Sequence, residues 1–163
     1  MVVGLCFPVD ADGFEDWYRE HYRRVFASVL VVSGNRAATS EAVDEAFARA
    51  LERWPRVRTM ASPIGWTFTV ARNLLRRAAK RSARDRAVGL TVNLDPEIDV
   101  ALWETVRSLP KRERELIALR YVADLSEPEI AATLGIAKGT VARGLHDARA
   151  HLHSMLTPEE DPA

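Results

Sequence analysis

Apolar residues recur at intervals of three and four through almost the whole chain, and that spacing leaves room for little but helices. Phe14, Tyr18, Tyr22, Val25, Val29 and Val32 define a first helix, ended by the turn Ser33-Gly34-Asn35. Ser40 is placed to cap a second, with Val43, Phe47, Ala50, Leu51 and Trp54 inward and Pro55 stopping it. Residues 55–62, "PRVRTMAS", read as a loop. Ser62 and Pro63 then form a cap and a first helical position, and Ile64, Phe68, Ala71, Leu75 and Ala78 line one buried face. Residues 82–96 lose the period and contain Gly89 and Pro96, which reads as a flexible linker. A second helical group follows at 97–108, 110–122, 126–134 and 138–155, and the tail "TPEEDPA" should be loose. The expected fold class is all-α, with two small helical domains, 12–81 and 97–156, joined by the linker 82–96.

The helix over 62–81 raises the functional question. Its outer face carries Trp66, Thr69, Asn73, Arg76 and Lys80, with Arg72, Arg77 and Arg81 beside them. A solvated basic face with Trp66 at a core edge is the plain reading of that stretch alone. Charge distribution argues for more. The net charge is zero, yet residues 1–52 carry net −4, residues 53–86 carry net +9 and residues 87–163 carry net −5. A polyanion meets the middle block locally, because salt cuts fields off at about 8–10 Å.

The second group ends in a recognisable motif. Ser126 and Glu129 in "SEPE" match a capping box, in which each side chain satisfies a backbone donor of the other's turn. Gly135 ends that short helix, and Val141, Leu145, Ala148, Leu152 and Met155 form the inward face of the next. A short helix, a glycine turn and a longer helix, with small Ala131 at the crossing, make a helix-turn-helix. Such a motif places its second helix in the major groove of DNA.

Other chemistry is poorly supported. No apolar run reaches the roughly 18 residues of a membrane span. The start "MVVGLCFPVDADG" lacks a basic flank and a cleavage site, so no signal peptide is expected, and a cytoplasmic protein is the simplest reading. Cys6 is the only cysteine, which excludes an intrachain disulfide. His146, His151 and His153 with Asp147 lack a second ligand cluster, and "DADG" at 10–13 lacks the later ligands of a calcium loop. No catalytic residues, metal or cofactor are expected.

Together these segments resemble a bacterial sigma factor of the extracytoplasmic-function (ECF) group, the short relatives within the sigma-70 family. "GWTFTVARNLLRRAAKR" looks like the end of that family's region 2, and "SLPKRERELIALRYVADLSEPEIAATLGIAKGTVARGLHDAR" like its region 4. The resemblance covers residues 12–156 and implies a region 2 helical bundle followed by a region 4 helix-turn-helix. By position it implies that Asn73 lines a base pocket for the −10 element. It assigns Arg56 and Arg58 to the base-specifying loop at 56–62. Trp66, Arg72, Arg76, Arg77, Lys80 and Arg81 would contact the same strand. Lys138, Thr140, Arg143, His146 and Arg149 would meet the −35 element. Glu41, Asp44, Glu45 and Arg49 would dock the β′ coiled coil of core RNA polymerase. The implied partners are core RNA polymerase (β′ coiled coil and β flap), promoter DNA and an anti-sigma factor, with no membrane.

The recognition segment departs from the family's usual "GTVKSRLHRAR". Ala142 and Gly144 replace polar or basic residues, and Asp147 replaces a base. Two other readings therefore stay open: a stand-alone helix-turn-helix regulator, and a sigma-like protein that has lost normal −35 reading.

Overall fold

In the computed structural model, which describes residues 11–82 and 100–157, Gly13 and Gly34 set the two ends of α1 (Phe14–Ser33). Both have positive φ, 79° and 68°, where side chains strain the backbone, and the Gly34 N–H closes the helix on the Leu30 carbonyl at 2.8 Å. α2 (Arg36–Glu52) begins four residues before the expected Ser40 cap. Asn35 is the cap instead, its side chain accepting from the Ala38 N–H at 3.0 Å. The helix stops at Glu52, before Pro55, and Pro55 itself helps start a single turn, α3 (Trp54–Val57). The expected loop 55–62 is therefore partly helical, with Val57 fully buried. α4 (Pro63–Ser82) starts where Ser62 and Pro63 place it, and the Gly65 N–H donates to the Ser62 hydroxyl at 3.0 Å.

α1, α2 and α4 pack as a three-helix bundle around Val25, Val29, Val43, Ala46, Phe47, Phe68 and Ala71. An aromatic layer closes one end. Trp54 stands edge-on to Phe14 with centroids 5.3 Å apart, and its indole N–H donates to the Asp12 carbonyl at 2.9 Å.

The second group holds α5 (Val100–Ser108), α6 (Lys111–Ile117), α7 (Glu127–Leu134) and α8 (Lys138–Leu156). The helix expected over 110–122 changes character after Ile117. Residues 118–122 widen into a π turn, with the Ala123 N–H reaching back five residues to Ala118 at 2.9 Å. Asp124 then adopts φ 56° to turn the chain toward α7. The α7 capping box is complete: Ser126 and Glu129 each bond the other's backbone. Gly135 ends α7 at φ 66°. On α8, Val141, Leu145 and Ala148 are buried, whereas Leu152 is half-buried and Met155 is exposed, because α8 runs past the end of the core. Gly144 also differs from expectation. It faces α6, and a Cβ there would come within 2.4 Å of a Leu116 methyl.

The two groups do not stand apart. Val29, Phe68 and Ala71 share one continuous apolar core with Leu116, Leu119, Leu125 and Ile130. Trp103 of α5 packs on Leu30 and Val31 of α1, and α7 lies against α4. Apart from Ser82, the expected linker 82–96 lies outside the described residues.

Candidate nucleic-acid interface

The face of α4 away from the bundle is built by the helical repeat itself. Asn73, Arg76, Arg77 and Lys80, at offsets of three, four and seven, line a shallow concavity of about 280 Å³. All four are exposed, as is Arg81 beside them. An amide with two donors and two acceptor lone pairs thus sits among three exposed cations. The concavity can take an anionic chain with a polar planar group.

Three residues expected on this face are turned elsewhere, Thr69 among them, its hydroxyl directed at the Thr133 carbonyl of α7. Trp66 is half-buried against Trp54 and Val57, at the core edge. Arg72 has a side chain only 16% exposed, and its Nη1 lies 3.4 Å from Glu115 Oε2 of α6. It is held by a carboxylate because α6 packs over that side of α4. Arg56 and Arg58 are exposed in α3 and just beyond it. Thr67, which the apolar period passes over, is fully buried, its hydroxyl donating to the Pro63 carbonyl at 3.0 Å.

On α8, Lys138, Thr140, Arg143, His146 and Arg149 are all exposed, and α7 crosses behind through buried Ala131 and Val141. Arg149 folds back so that its Nε donates to the Leu145 carbonyl at 3.0 Å. Asp147 is half-buried. His151 bonds Glu113 at 2.7 Å, and this hydrogen bond, with the carboxylate's charge, raises the imidazole pKa. Among the described residues no group of three or more His, Cys, Asp or Glu side chains could hold a metal ion. No described helix is long and apolar enough to cross a membrane.

On α2, Glu41, Asp44 and Glu45 are exposed. Glu45 pairs with Arg49 at 2.7 Å. Asp44 accepts from the Tyr22 hydroxyl of α1 at 2.6 Å. Burial, reinforced by that bond, pushes the Tyr22 phenol up to about 12. The sequence reading missed Tyr22–Asp44 and Arg72–Glu115, since both join residues far apart in the chain.

A helix-turn-helix with its second helix exposed, and a basic amide-bearing concavity on the other helical group, is the build of a DNA-binding transcription protein. The Sigma-70 region 2 family model matches residues 17–85 and the Sigma-70 region 4 model matches residues 99–152. The ECF RNA polymerase sigma factor SigL of Mycobacterium tuberculosis is 32% identical over 145 residues, which is 80% of this chain and 81% of that protein. A probable RNA polymerase sigma factor RfaY of Xanthomonas campestris is 27% identical over 84% of this chain, but the match spans only 38% of that longer protein. The fold matches that of the sigma factor RpoE of Bartonella quintana, solved with the anti-sigma factor NepR, at TM-score 0.77, with 20% identity over 90% of this chain and 97% of that one. The chain belongs to the ECF sigma factors of the sigma-70 family. Its function is to direct RNA polymerase to promoters, and such factors regulate without catalysing.

Proposed function

We propose that α4 holds the −10 element as an opened strand, that α8 reads the −35 element, and that α2 makes the main contact with core polymerase. The concavity at Asn73, Arg76, Arg77 and Lys80 carries this reading. A base turned out of a duplex needs polar groups for its edge, and the strand that follows needs cations for its phosphates. Asn73 supplies the first and the three cations the second. The exposed Lys138, Arg143 and His146 support groove contact by α8. With Gly144 packed on Leu116, one of the departures from the usual recognition sequence is a packing position.

Glu41 and Asp44 support docking of a cationic surface on α2. The complex of RpoE with NepR supports an anti-sigma factor as a further partner. Work on promoters in contact with polymerase supports the cytoplasm as its place. A stand-alone regulator would instead bind duplex DNA tightly without polymerase. Run-off transcription on genomic fragments decides between them. Adding this protein to core polymerase should produce discrete transcripts that core alone does not, while the protein alone shifts no fragment. Tight, sequence-specific duplex binding without polymerase, with no transcripts, would overturn the assignment.

A further inference from the structure

Arg72 sits on the same helix as the exposed cations of α4, one position before Asn73, yet it is withdrawn from solvent. Its partner, Glu115, has a side chain only 7% exposed, with Arg72 at 3.4 Å and Arg112 at 3.8 Å. Arg112 comes from Glu115's own helix, whereas Arg72 comes from the other helical group. A carboxylate so buried is tolerated only when paired, and of its two cations Arg72 is the one that the packed arrangement brings from the other group.

The seam around this pair is close but poorly bonded. Gly65 lies so near α7 that a Cβ would fall 2.0 Å from the Thr133 hydroxyl. Thr69 reaches the Thr133 carbonyl at only 3.5 Å. Five buried side-chain nitrogen or oxygen atoms among the described residues lack a protein partner, and three of them belong to seam residues: Arg72 Nε, Thr133 Oγ1 and Trp103 Nε1. Buried polar atoms are normally bonded, and opening the seam to water would satisfy all three.

We infer that Glu115 competes with promoter DNA for Arg72, so that the packed form is self-inhibited and a bound strand must displace Glu115. This rests on the reading of α4 as the strand-holding helix. In the packed form Glu115 stands where a phosphate oxygen would stand. When the seam parts, Arg72 joins Arg76, Arg77 and Lys80, and the strand gains a fourth cation on α4. Glu115 then pairs with Arg112 alone, in water.

Two measurements on the full chain test this. The first needs neither DNA nor polymerase. Spin labels at exposed Ala48 and Ala150, in a Cys6→Ser background, report the distance between the groups. Wild type should give one narrow distance. Glu115→Arg should broaden and lengthen it, and Arg72→Glu combined with Glu115→Arg should restore it, with helical content constant throughout. The second is binding of a fluorescein-labelled single strand of random sequence at low salt. Glu115→Gln should raise affinity about tenfold, and the gain should vanish in an Arg72→Gln background. An unchanged distance in Glu115→Arg, or no restoration by the swap, overturns the latch whatever α4 does. A distance that responds as expected, with strand affinity unchanged or raised equally without Arg72, overturns the competition with DNA and points the failure at the reading of α4.

Discussion

Asn73 and Arg76 line the same concavity but offer different chemistry, and single substitutions should separate them. Asn73→Ala removes a hydrogen-bonding amide and leaves the charge unchanged. If the amide reads a base edge, discrimination at one −10 position should fall by about 1–3 kcal/mol, the usual worth of a base contact. Arg76→Ala removes a cation; if that cation meets phosphate, its loss should weaken all promoters alike and reduce the salt dependence by about one counterion. Open-complex formation on a set of single-base −10 variants, at two salt concentrations, measures both. An equal loss on every variant from Asn73→Ala, with a lowered melting curve, would make Asn73 structural. These residues were readable in the sequence because helical spacing alone puts offsets of three, four and seven on one face. Arg72 was misplaced because the same spacing says nothing of which distant helix packs beside it. Glu115 gave a faint signal: it stands four residues before Leu119, on the inward stripe, where an unpaired charge is not tolerated.

Individual elements were mostly predictable where local chemistry decides them. The Ser62 cap, the Ser126–Glu129 box and the Gly135 stop all lie where the sequence places them. The start of α2 was missed because Asn35 and Ser40 are both competent caps, and the turn at Gly34 favours the nearer one. On α8, the His151–Glu113 bond to α6 gives the helix-turn-helix group a pH dependence with a definite sign. A raised imidazole pKa means that the folded state binds the proton more tightly. The stabilisation is therefore full below the unfolded value of 6.5 and fades as pH rises through the raised folded value. Melting curves of wild type and His151→Gln should differ most below pH 6.5 and converge as the pH becomes alkaline. A difference that grows with pH would contradict the assignment. On α2, Glu41→Lys should leave melting unchanged, since Glu41 is exposed. Asp44→Lys should lower stability by about 1 kcal/mol, because Tyr22 loses its acceptor. If this face docks polymerase, the double substitution should abolish co-purification with core polymerase while the protein stays helical. Normal co-purification of the folded double variant would move the docking surface elsewhere.

At the scale of the whole molecule, the packed form cannot by itself reach both promoter elements. The −10 and −35 elements are separated by roughly 25 base pairs, or roughly 85 Å of duplex at about 3.4 Å per pair. A chain of this length folded as one body is only about 40 Å across. The periodicity of the sequence defines the two helical groups, but their docking rests on a shared apolar core and on Arg72, Gly65 and Thr133 meeting across the seam, which no local pattern encodes. If α4 holds the −10 element and α8 reads the −35 element, the groups should part on polymerase, and a covalent lock should stop them. Gly65 and Thr133 are suited to it: a Cβ on Gly65 would lie 3.2 Å from the Thr133 Cβ. Disulfides prefer about 3.8 Å between these atoms, so a shift of about 0.6 Å suffices. Gly65→Cys with Thr133→Cys, in a Cys6→Ser background, should form a disulfide on oxidation. The oxidised protein should melt higher than the reduced one and lose run-off transcription with core polymerase, and reductant should restore it. Each single-cysteine variant, unable to lock, should be equally active under both conditions. Full transcription by the verified disulfide form would show that the packed arrangement survives in the initiation complex, and would require the reach to both elements to come from bending of the DNA.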